Sequence, residues 1–110
     1  MKHLLFVVLE NTKETHDLIS ELSHHGINGT VIPTKSLKHV LQDENEDLPS
    51  FISLSHIHEN NLTANTTFYF ILEDEKLKEV QQLIREATHE FSSTKGGMFT
   101  TPIESYEGSF

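Results

Sequence analysis

Apolar and polar positions divide the chain into two similar halves around an irregular middle. Residues 3–10, HLLFVVLE, are apolar at consecutive positions, as in a central strand covered on both faces. From residue 11 the period changes. Thr15, Leu18, Ile19 and Leu22 fall on one helical face, Asn11 and Glu14 approximate a capping box, and Gly26 supplies a left-handed stop. Residues 27–34, INGTVIPT, then predict a second strand, with Pro33 placing its end at an edge or a bend.

The middle, residues 35–65, has no single period. SLKHVLQ, from Ser36, fits one or two helical turns, the acidic run 43–47 (DENED) reads as a solvated loop, and 51–59 alternates in the manner of a strand. Regularity returns at 66–73, TTFYFILE, a second strand apolar on both faces. Asp74 is placed to cap a helix whose stripe is Leu77, Val80, Ile84, Ala87 and Phe91. Serines and glycines at 92–97 close that helix, Gly96 and Gly97 predict a tight turn, and 98–103 predict the last strand.

The order β-α-β, insertion, β-α-β predicts an α+β fold of the ferredoxin-like kind, in one domain spanning 1–110. It implies a four-stranded antiparallel sheet with both helices on one face and a long loop after the second strand. Two helices cover one face only, yet the two central strands are apolar on both. Full burial of each outward side chain is worth on the order of 1.5–3 kcal/mol. Either the 35–65 insertion folds back over that face or another subunit covers it, and the subunit is the expected cover.

Composition narrows the partners. A formal charge of −9 with only 8 Lys and Arg argues against nucleic acid and anionic membranes. The apolar run Leu4–Leu9 is too short to span a bilayer and no cleavage-site pattern follows it, so membrane insertion is not expected and the cytoplasm is the expected location. With no cysteine, disulfides and thiol chemistry are excluded.

Three stretches, GINGTVIPTK (26–35), TTFYFILEDEKLKEVQQLI (66–84) and GGMFTTPIE (96–104), together resemble the PII-like signalling proteins, the nitrogen-regulatory P-II superfamily. The resemblance implies a non-catalytic homotrimer with a small metabolite or nucleotide in its intersubunit clefts. It further implies that the 35–65 loop engages a protein partner. Such a cleft lies between the base of that loop and the glycine-containing loop before the fourth strand. Where nucleotide-binding members carry a lysine, this chain has Gly97, and its end, SYEGSF, lacks their arginines. ATP binding is therefore expected to be weak or absent, since neutral hydrogen bonds are about half as strong as charge-assisted ones.

A partial similarity to the PII-like cyclic di-AMP receptors lies in ANTTF (64–68), which puts Asn65 on a ligand-contacting asparagine, and in Thr30 and Thr34. With Lys35 and the backbone of Gly96 and Gly97, these are the candidate ligand-binding residues. The identity of any cofactor is left open. An alternative reading takes His56 and His58, two apart on one strand face, as metal ligands in a trimer of the divalent-cation-tolerance type. No nucleophile elbow, P-loop or His-Glu-x-x-His pattern accompanies them, and a non-enzyme is expected.

Overall fold

Residues Lys2–Glu10 form strand β1, the longest apolar run of the chain and the hub of its sheet. The computed structural model describes residues 1–37, 40–41 and 65–110. Within them follow helix α1 (Lys13–His24), strand β2 (Thr30–Thr34), strand β3 (Asn65–Glu73), helix α2 (Asp74–Thr88) and strand β4 (Gly96–Pro102). The four strands make one sheet in the order β2-β3-β1-β4, antiparallel throughout. This is the ferredoxin-like α+β arrangement expected from the element order. No helix among the described residues is long and apolar enough to cross a membrane.

Strand alternation sorts the residues onto two faces. On one, Leu5, Val7 and Leu9 of β1 lie opposite Phe70, Phe68 and Thr66 of β3. Leu18 and Leu22 of α1 and Val80 and Ile84 of α2 complete a single buried cluster with them. Both helices therefore cover this face. On the other, Leu4, Phe6 and Val8 lie opposite Ile71, Tyr69 and Thr67, flanked by Ile32 on β2 and Phe99 on β4. The Phe6 and Phe99 rings stack there with centroids 5.1 Å apart, and Phe99 is 60% exposed. The open face is thus apolar. Pro33, with no N–H to donate, is accommodated because β2 is an edge strand.

Both helix caps differ from the sequence expectation. Thr12, not Asn11, caps α1: its backbone is extended and its Oγ1 accepts from Thr15 N at 3.3 Å. Asn11 is occupied instead, its Oδ1 accepting from the Thr66 hydroxyl on β3. At α2 the N-cap is Glu73, without a side-chain cap bond, and Asp74 is the first helical residue. Its carboxylate faces His3 Nε2 at 2.5 Å, tying the start of β1 to the start of α2. That contact holds the Asp74 carboxyl below its ordinary value. The Gly26 stop stands as expected, with φ of +70°.

The end of α2 also differs. The helix stops at Thr88, and the chain reverses through His89, Glu90 and Phe91, all left-handed with φ of 50°, 57° and 62°. Such a conformation costs roughly 1–2 kcal/mol per residue for an L side chain. Thr88 offsets it. Its buried hydroxyl donates to Ile84 O at 2.8 Å and accepts from Phe91 N at 3.0 Å, while its carbonyl accepts from Ser93 N and Ser93 Oγ. Phe91 still packs against the core, but from this turn and not from the helix. Gly96 and Gly97 consequently do not make the turn. They are the first residues of β4, opposite Leu9 and Val8.

Candidate functional site

The register brings four of the six candidate ligand residues to one end of the sheet. Thr34 closes β2 and pairs with Asn65, which opens β3 and pairs with Glu10 at the end of β1. Glu10 N in turn donates to Lys95 O at 2.8 Å, just before Gly96 and Gly97. Thr34, Asn65, Gly96 and Gly97 therefore lie along one end of the sheet, with Thr34 on one edge strand and the glycines on the other, roughly 14 Å across at about 4.8 Å per strand. Lys35 follows Thr34 and extends this row. Thr30 does not join it. It pairs with Tyr69 at the opposite end of β2, roughly 13 Å away at about 3.3 Å per residue.

The two glycines have different parts. At Gly96, with φ of +147°, a Cβ would fall 2.0 Å from Val8 O. Only glycine lets β4 approach β1 there. At Gly97 a Cβ would meet nothing within 4 Å. Gly97 stands on the open face beside Val8, in the same row as Thr67. It keeps that stretch of backbone bare.

Thr67 was not singled out in the sequence. Its hydroxyl lies 2.7 Å from that of Thr34, and only 3% of the residue is exposed. Its position two residues after Asn65, and so on the same face, is the signal that identifies it. Thr34, Thr67 and Asn65 carry hydroxyl and amide groups without formal charge, with Lys35 next to Thr34 in the chain and Lys95 next to Gly96. This shelf suits a ligand held mainly by neutral hydrogen bonds.

His56 and His58 lie outside the described residues. Among the described residues no group of three or more His, Asp or Glu side chains is placed to hold a metal ion.

A second polar constellation joins the helices at the far side of the core. His25, the C-cap of α1, reaches Glu79 of α2 through Nδ1 and Glu21 through Nε2, each at 3.2 Å. The Glu79 contact, followed by that of Glu21, raises the His25 pKa above its ordinary value of 6.5. Glu79 is lowered from 4.5, first by Lys76 and then by His25. A raised imidazole adds stability that is complete below 6.5 and is lost as pH rises through its raised value. A lowered carboxylate adds stability above 4.5 that is lost as pH falls through its lowered value. The link is therefore fully made between about pH 4.5 and 6.5. His25→Gln is expected to lower the melting temperature most near pH 5.5 and least at pH 8.5. An equal loss at both would contradict the assignment.

No family model matches the chain, and no curated protein does. Among solved structures it is similar to a functionally unknown protein from Pediococcus pentosaceus ATCC 25745, at 16% identity. The likeness covers 98% of this chain and 97% of the other with a TM-score of 0.58. It shows a shared fold.

Proposed function

We propose that the protein is a non-catalytic, PII-like signal-transduction protein. In this reading it assembles as a homotrimer through the open sheet face and senses a small, weakly charged metabolite at the Thr34–Asn65–Gly97 shelf. The observation that carries the proposal is the apolar face itself: Leu4, Phe6, Val8, Ile71 and Phe99 lie on the side of the sheet away from both helices. A trimer with its sheets turned inward removes that surface from water. The resemblance of the three sequence stretches agrees with the element order. The segment between Thr34 and Asn65 also leaves and re-enters the sheet beside the shelf, because those two residues are paired. A ligand there would touch the base of the segment proposed to engage a protein partner.

Light scattering at micromolar concentration tests the assembly, and a stable monomer would overturn it. A thermal-shift screen of ATP, ADP, AMP, cyclic dinucleotides, 2-oxoglutarate and divalent metals tests the site. A ligand at 100 times its Kd adds about 2.7 kcal/mol to the native state, which corresponds to roughly 10 °C for a domain of this size. The expected hit carries less charge than a triphosphate. Because Gly97 has open space at its Cβ position, Gly97→Ala is expected to leave folding and assembly intact while abolishing the shift. Sub-micromolar ATP affinity without a partner, or an unchanged shift in Gly97→Ala, would sink this description of the site.

A further inference from the structure

Beyond β4 the chain does not leave the molecule. Ile103 N donates to Lys2 O at 3.0 Å, which holds the departing chain against β1. The Lys2 ammonium then lies 4.9 Å from the centre of the Tyr106 ring, within cation–π range. Gly108, at φ of +98°, turns the chain so that Phe110 meets Tyr106 edge-on at 6.2 Å. Ser109 and Phe110 finally close a pocket of about 200 Å³ against Asn28, Thr30, Tyr69 and Ile71. Lys2, Ile71, Tyr69 and Thr30 all belong to the open face, on β1, β3 and β2 in that order. The segment starting from β4 therefore crosses the sheet to its far edge, at the end opposite the Thr34–Gly97 shelf.

We propose that residues 104–110 are a detachable strap that shields the lower end of the open face and so limits how much of it a second copy of the chain can use. This rests on the reading of that face as the subunit interface. The strap is lightly seated: Tyr106 is 47% exposed and Phe110 59%. Its Ser109 and Phe110 line a pocket with Ile71 and Tyr69, while Phe99 stays 60% exposed. The occupant argued for the uncovered part is a second copy, because the Phe6–Phe99 stack continues the same apolar surface. Release of the strap lengthens that surface along β3 without creating a new one. The strap acts as a brake on assembly.

Two variants test this, one ending at Ile103 and one carrying Tyr106→Ser with Phe110→Ser in the full chain. Each is compared with the wild type by sedimentation velocity over a concentration series and by fluorescence of the apolar dye 1-anilinonaphthalene-8-sulfonate. Both variants are expected to bind more dye and to associate at least tenfold more tightly. Weaker or unchanged association in protein that does assemble, or unchanged dye binding, overturns the strap. Assembly identical across all three with identical dye binding leaves the trimer reading standing. Variants that bind more dye but stay monomeric, as does the wild type, overturn the brake together with the trimer.

Discussion

Gly96→Ala is expected to lower the melting temperature by roughly 10–15 °C, corresponding to about 3 kcal/mol. Two effects add. The backbone at +147° lies in a region that side chains seldom adopt, and the new Cβ would sit 2.0 Å from Val8 O and 3.0 Å from Leu9 Cα. Both obstacles are backbone of the central strand and have no flexible end to swing aside. Relief requires β4 to peel away from β1 at Leu9 and Val8. Gly97→Ala, one residue on, has free space and is expected to change stability by about 0.5 kcal/mol or less. Thermal unfolding of the two variants side by side is the measurement. Equal and small losses would show that β4 has room beside Val8.

The pair also shows where the sequence was readable. Two adjacent glycines before an apolar stretch look like a turn, because a turn is the commonest reason for them. The structural reason is a close approach to a strand some 87 positions earlier (96 − 9), which no local pattern reveals. The actual reversal at 89–91 contains no glycine or asparagine, only His89, Glu90 and Phe91 held by Thr88, and so gave no local signal. By contrast β1 and β3 were legible because their residues are apolar at successive positions. The helices were legible from Leu18 and Leu22, and from Val80 and Ile84, at spacings of four. Sheet order followed from element order, and it is sheet order that puts Thr34, Asn65 and Gly97 along one end of the sheet. Thr30 was separable from them in principle, since four residues along a strand cannot reach one point. The His25–Glu79 link depends on how two helices pack, which side-chain periodicity alone does not fix.

In the proposed trimer, Phe99→Glu is expected to separate the subunits with little damage to the fold. Phe99 is an edge-strand residue 60% exposed in the single chain, and its described ring partner is Phe6. Losing that pair costs the monomer about 0.5–1.5 kcal/mol. Assembly through the open face is a different matter. Three copies of the substitution would bring three carboxylates into one apolar interface, where each unpaired charge costs several kcal/mol. At about 1.4 kcal/mol per tenfold, the association constant should fall by more than about 1,000-fold. Thr100 is the control. It is exposed, adjacent in the chain, and on the other side of the sheet, opposite Leu5. Thr100→Glu is expected to leave assembly unchanged, so that added negative charge alone cannot account for dissociation. Light scattering on both variants, with circular dichroism to confirm the fold, separates the faces. Dissociation by Thr100→Glu and not by Phe99→Glu would place the interface on the helical side and leave the apolar face unexplained.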